Sequence, residues 1–85
     1  MIVRYRTRFQ KRMRKLPRAV QDKFWERLAL FLENPRHPLL HDHSLTGEWA
    51  GCRSINVTGD FRAIYMIDGN TIRFLAIGTH PELYG

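Results

Sequence analysis

Three short stretches hold the residues best suited to chemistry. Gly78-Thr79-His80-Pro81-Glu82-Leu83-Tyr84-Gly85 is a polar tail with an imidazole and a phenol four residues apart. His41-Asp42-His43 leads toward Gly47-Glu48-Trp49, and Asp60 and Arg62 flank Phe61. Together these groups would suit cleavage of an RNA phosphodiester. That reaction needs a base for the 2′-OH proton, a cation for the crowded phosphorane and an acid for the leaving oxygen. It needs no metal. An ordinary imidazole titrates near neutrality, so His80 or His43 could be base or acid. Arg62 offers a planar fork to phosphate. Tyr84 could stack on a base or hydrogen-bond the phosphate, and Asp60 could orient a histidine or take the proton itself.

Each group also has an ordinary role. A lone histidine is most often a surface or capping residue, and Tyr84 could be an apolar lid. Arg62 could pair with Asp60 or Glu48 across a strand face. Asp60 follows Gly59 as turn residues do. Trp25, Trp49 and Phe61 are more often core than stacking platforms. His37, His41 and His43 could in principle hold a metal, but mixed His/Asp loops are common. No metal or other cofactor is expected.

Positioning these groups falls to a few elements. Ile2-Val3-Arg4-Tyr5-Arg6 alternates as a short strand. Thr7 can cap a helix whose apolar residues Phe9, Met13 and Leu16 fall at helical spacing. Pro17 ends it and suits the start of another. Val20, Phe24, Leu28 and Phe31 then define a helix over about 18–33, which Trp25, Ala29 and Leu32 widen as if it packed on more than one surface. Residues 34–47, with Pro35, Pro38 and Gly47, read as a loop. Cys52–Val57, Phe61–Ile67 and Thr71–Ile77 are β-rich and separated by Thr58-Gly59-Asp60 and Asp68-Gly69-Asn70, links short enough only for hairpins. An antiparallel meander follows. Arg62, Ile64 and Met66 share one strand face, and Phe61, Ala63, Tyr65 and Ile67 the other. One face must cover the helices, leaving the other free for a partner or substrate. The expected fold is α+β in two layers, a strand and helical hairpin packed on an antiparallel sheet. The meander should also bring Asp60 and Arg62 near the tail.

The 85 residues suit one domain, 1–85. The net charge is +6 and the pI near 10.3. Residues 1–27 carry ten basic and two acidic groups, and the remainder four basic and six acidic. Such a concentrated positive field attracts polyanions through counterion release, though a solvated helix face or an acidic protein partner would account for it too. The expected RNA-facing cations are Arg4, Arg6, Arg8, Lys11, Arg12, Arg14, Lys15 and Arg18. One cysteine, Cys52, excludes an internal disulfide or Cys-pair zinc site and suits a reducing compartment. With no apolar run near ~18 residues, no membrane association is expected and the cytoplasm is.

The order of a basic strand, a helical hairpin and then His43-Ser44-Leu45-Thr46-Gly47-Glu48-Trp49-Ala50-Gly51-Cys52-Arg53 resembles bacterial toxins of the RelE/ParE superfamily. Gly59-Asp60-Phe61-Arg62-Ala63-Ile64-Tyr65 and the Gly78–Gly85 tail extend the similarity, closest to the YafQ branch, over nearly the whole chain. The resemblance implies a RelE-like fold and a type II toxin. It implies a ribosome-dependent mRNA interferase that enters the A site against 16S rRNA, cuts translated message without a metal, and is neutralised by a cognate antitoxin. His43, Asp60, His80 and Tyr84 match active-site positions of that branch. Phe61 stands where it has tryptophan, and Arg62 resembles an arginine of the RelE strand motif. Asn56 replaces a second histidine and Ala76 an arginine. A ParE-like gyrase inhibitor is the alternative in the same superfamily, though such members usually lack a histidine like His80. A non-cutting, RNA-binding member is the other.

Overall fold

The computed structural model describes residues 1–85. Strand β1 (Ile2–Tyr5) leads into α1 (Thr7–Lys15) and α2 (Arg18–Glu33). Then come β2 (His43–Ser44), β3 (Arg53–Asn56), β4 (Phe61–Asp68), β5 (Thr71–Thr79) and α3 (His80–Tyr84). α1 buries Phe9 and Met13, one turn apart, and leaves its cations on the remaining arc. Thr7 is its first helical residue rather than its cap; Arg6 holds the N-cap position with no side-chain capping bond. Pro17 caps α2 instead of joining it, and Val20, Phe24, Leu28 and Phe31 form the buried stripe. The second surface expected for α2 is only partly packed: Trp25 sits edge-on to Tyr5 and Phe24 but, like Leu32, stays 48% exposed.

The sheet runs β1-β5-β4-β3-β2. The hairpin meander β3-β4-β5 is antiparallel, as the short turns require. At the β5 edge, β1 pairs parallel, Ile2 opposite Thr71 through Tyr5 opposite Phe74. The sheet is therefore mixed, and the whole intervening chain, helices α1 and α2 followed by β2, β3 and β4, supplies the long connection that a parallel pairing needs. The segment expected to be a loop contains a 3-10 turn, Pro38–Leu40, that buries Leu40, and the two-residue β2 at the opposite edge.

Helices α1 and α2 cover one face of the sheet. Tyr5, Phe9, Phe24 and Phe74 interlock there with ring centroids 5.0–6.5 Å apart, joined by Leu28, Phe31, Ile55, Ala63, Tyr65 and Ile77. Full burial of a phenylalanine such as Phe24 contributes about 1.5–3 kcal/mol. The opposite face is less free than the alternation predicts. Cys52, Ile64, Leu75 and Ala76 form a small second core, covered by Leu45, Trp49, Met66, Leu83 and Tyr84. A bulge makes this possible: Ile64 pairs Ala76 while Tyr65 pairs Phe74. Leu75 is thus an extra residue, and it faces the second core with Ala76.

Candidate active site

Residues paired across strands point to the same face. Register therefore places Ala76, Ile64, Ser54 and His43 in one row across the sheet. Gly78, Arg62 and Asn56 form the next row, two residues along and on the same face. The β4–β5 ladder ends at Phe61 opposite Thr79. Asp60 immediately precedes Phe61, and His80 immediately follows Thr79. The hairpin therefore brings Asp60, Arg62 and the tail together, as the meander predicts.

The tail is a helix. Thr79 Oγ1 accepts from the Glu82 N–H at 3.4 Å, and Glu82 Oε1 accepts from the Thr79 N–H at 2.8 Å, a reciprocal capping box. These bonds to Thr79, and less so the Arg12 guanidinium, hold the Glu82 carboxyl below its ordinary range. One helical turn sets His80 against Tyr84, with ring centroids 4.6 Å apart and the ring planes tilted by 58°. Leu83 and Tyr84 pack on the second core, and the Trp49 indole N–H donates to the Leu83 carbonyl at 3.1 Å. Imidazole and phenol are thus fixed to the sheet, with His80 itself exposed.

Arg62 makes no ion pair with Asp60 or Glu48. Its Nη1 donates to the carbonyls of Thr58 and Gly59 at 3.1 Å and of Phe61 at 3.2 Å, clamping the turn it follows. The Asp60 carboxylate is exposed at the tip of that turn, while its backbone N–H donates to Thr58 Oγ1. Beside Arg62, Asn56 Oδ1 is a buried acceptor with no hydrogen bond, and in the neighbouring row Ser54 Oγ is another unpartnered buried polar atom.

Two expected members lie elsewhere. Phe61 turns to the helix layer and packs against the main core, because alternation along β4 sends it to the side opposite Arg62. His43 is exposed on the edge strand β2, three strands from β5, which at ~4.8 Å per strand is about 14 Å from the row position of Ala76. Its Nδ1 lies 2.8 Å from the His41 carbonyl oxygen. The loop carrying it is anchored by Asp42, which accepts from Tyr65 Oη at 2.6 Å and Arg53 Nε at 3.0 Å. Burial and the Asp42 carboxylate drive the Tyr65 phenol far above its ordinary value, and the bond to Asp42 raises Arg53. No three His, Cys, Asp or Glu side chains converge as a metal site would require.

The nine-residue helix α1 does not present one uniform basic patch. Arg8, Lys11, Arg12 and Lys15 line a cleft of about 370 Å³ against Ala76, Ile77, Glu82 and Leu83. Arg14 lies on another groove with Tyr5 and Trp25. Arg18 pairs with Asp22, and Arg4 sits opposite Arg73 on the outer strand. Trp49 and Glu82 are the positioning residues that motif reading passed over; Thr79-x-x-Glu82 with Pro81 was the available signal for α3.

The whole chain, residues 1–85, matches the model of a family described as bacterial toxin of type II toxin-antitoxin system, YafQ. The mRNA interferase toxin YafQ of Escherichia coli (strain K12) is 35% identical over 60 residues, covering 68% of this chain and 65% of that protein. The alignment thus spans just under two thirds of that relative's length. The crystal structure of YafQ from E. coli strain BL21(DE3) superposes with a TM-score of 0.78 at 27% identity, over 98% of this chain and 97% of that one. The chain in the crystal structure of the E. coli DinJ-YafQ complex gives 0.70 at 28% identity, over 98% and 97%.

Proposed function

The chain belongs to the YafQ family of type II toxins, and we propose that it is an mRNA interferase, cutting messenger RNA by acid–base chemistry at the His80 end of the sheet. The observation that carries this reading is the exposed His80, its ring packed at a tilt against Tyr84, on a helix locked by its capping box and Trp49, with Asp60 and Arg62 adjacent by register. In the proposed reaction one of His80 and Asp60 accepts the 2′-OH proton as O2′ attacks phosphorus. The P–O5′ bond breaks, and the other group donates a proton to O5′, leaving a 2′,3′-cyclic phosphate and a 5′-hydroxyl. Arg62, with Nη1 engaged on the turn, presents its remaining N–H groups to the phosphate. Tyr84 holds the imidazole through its tilted ring contact and offers its hydroxyl to the nucleotide. His43, at the far edge, serves a neighbouring nucleotide in this scheme.

The message would be met on the ribosome, in the A site against 16S rRNA, with the basic residues of α1 on RNA phosphates. The E. coli relative crystallised with DinJ supports a cognate antitoxin as the other partner. No helix is long and apolar enough to cross a membrane, and the cytoplasm is the proposed site of action. A second reading, RNA binding without cutting, draws on Ala76, a buried methyl where the family resemblance implies an arginine. Primer extension on messages from cells expressing this chain or its His80→Ala variant decides between them. Cut ends within translated regions, absent in the variant and when translation is blocked, are expected. Growth arrest with intact messages would overturn the nuclease reading, and inhibition of gyrase supercoiling would then favour the ParE-like one.

A further inference from the structure

Arg8, Lys11, Arg12 and Lys15 recur at i, i+3, i+4 and i+7, the spacing of a helix stripe that faces a neighbour. The apolar stripe Phe9 and Met13 is already used against the core. The basic stripe faces something else, namely the cleft over Ala76 and Ile77, whose far wall is Glu82 and Leu83. α1 contains no acidic residue to offset these charges, and like charges one turn apart weaken a helix. Stability therefore gives no reason for the stripe. Its one counter-charge is Glu82, bonded to Arg12 Nη2 at 2.5 Å. Four cations against one carboxylate leave the cleft strongly positive, with a small alanine as part of its floor.

We propose that this cleft is a pocket for an RNA backbone phosphate flanking the one cut, and that Glu82 is its resident anion. The ligand's identity as RNA rests on the nuclease reading; the anion pocket rests on the cleft alone. A phosphate entering the pocket takes over Arg12 from the Glu82 carboxylate. Glu82 keeps its bond from the Thr79 N–H, so α3 stays capped during the exchange. Along the single turn of α3, Glu82 and Leu83 point to the cleft while His80 and Tyr84 pack against each other on another side. A helix is about 10–12 Å across with its side chains, so a phosphate here neighbours the one at His80 and is not the same group. The pocket should thus act on binding more than on the chemical step.

The test uses the full chain and a fluorescent RNA hexanucleotide carrying 2′-O-methyl at every ribose, which cannot be cleaved. Arg12→Ala is expected to weaken binding about tenfold or more, and to flatten the slope of log K against log salt by about 0.7. Lys15→Ala breaks no ion pair with α3 and should weaken binding in the same direction. Glu82→Gln keeps an acceptor for the Thr79 N–H, in a weaker neutral bond, and removes the competing charge, so it should tighten binding severalfold, with most of that gain lost in the Arg12→Ala background. Lys23→Ala changes the net charge equally from α2, outside the cleft, and should leave affinity within about twofold. Equal losses in Arg12→Ala and Lys23→Ala would reduce the cleft to part of a diffuse field and overturn the proposal. So would unchanged RNA affinity in Arg12→Ala, or a loss confined to a glutamate-rich peptide of equal length, which would assign the cleft to a protein partner. Because the probe cannot be cut, a chain that binds as predicted yet cleaves no message overturns only the nuclease reading.

Discussion

Tyr65→Phe removes one oxygen from a ring that is 1% exposed and changes little else. That hydroxyl donates to Asp42 Oδ2 at 2.6 Å, and Asp42 holds the loop and edge strand carrying His43. A hydrogen bond to a charged group contributes roughly 1.5–3 kcal/mol. The Asp42 side chain keeps 15% of its exposure, so water can partly replace the lost donor. The expected loss is therefore in the lower half of that range, about 1.5–2 kcal/mol. For a domain this size it lowers the melting midpoint by roughly 6–16 °C. Urea unfolding of wild type, Tyr65→Phe, Asp42→Ala and the double variant measures it. In the Asp42→Ala background the Tyr65→Phe change should cost almost nothing, because the interaction is already gone. Amide exchange should quicken first across β2 and its ladder to β3. An unchanged midpoint in Tyr65→Phe, or the same loss with and without Asp42, would refute the assignment of the hydroxyl as the loop's anchor.

The same phenol gives stability a pH dependence of definite sign. Its pKa is raised by folding, so its stabilisation is complete below the ordinary phenol value near ~10 and is lost as pH rises beyond it; the alkaline fall in stability should be shallower in Tyr65→Phe. Glu82 works in the opposite direction: its lowered carboxyl stabilises the fold at neutral pH, and α3 should fray as pH falls below the ordinary glutamate range, read by Tyr84 fluorescence or ring shifts of His80. Thr79→Ala removes a long, exposed capping bond and should cost about 0.5–1 kcal/mol while lowering cleavage through a looser His80. Tyr84→Ala should slow cleavage more than it weakens ribosome association, which paired cleavage and co-sedimentation measurements would show.

Strong periodicities carried most of the fold. The recurrence at four and three residues from Val20 to Phe31 placed α2 at its observed bounds, and the hairpin turns at Gly59 and Gly69 dictated the meander that brings Asp60 and Arg62 beside the tail. β2 escaped because a two-residue strand has no period and takes its pairing wholly from β3. The parallel docking of β1 on β5 is a long-range contact that no local pattern announces. The cover over the second sheet face depends on the Leu75 bulge and on Trp49, whose indole bonds to a residue 34 positions away. Side-chain partners were the least legible part. Arg62 turns onto backbone carbonyls of its own turn, Phe61 goes to the core, and His43 stands apart from His80 because strand order was not deducible from the motifs.

Single-turnover cleavage of a message bound to programmed ribosomes, by purified wild type and His80→Ala, tests the central claim most directly. The exposed imidazole as a proton-transfer group predicts a rate loss of about 10²–10⁴-fold in the variant, with its unfolding midpoint and ribosome association preserved. A His80→Ala chain that cuts at the wild-type rate would contradict it.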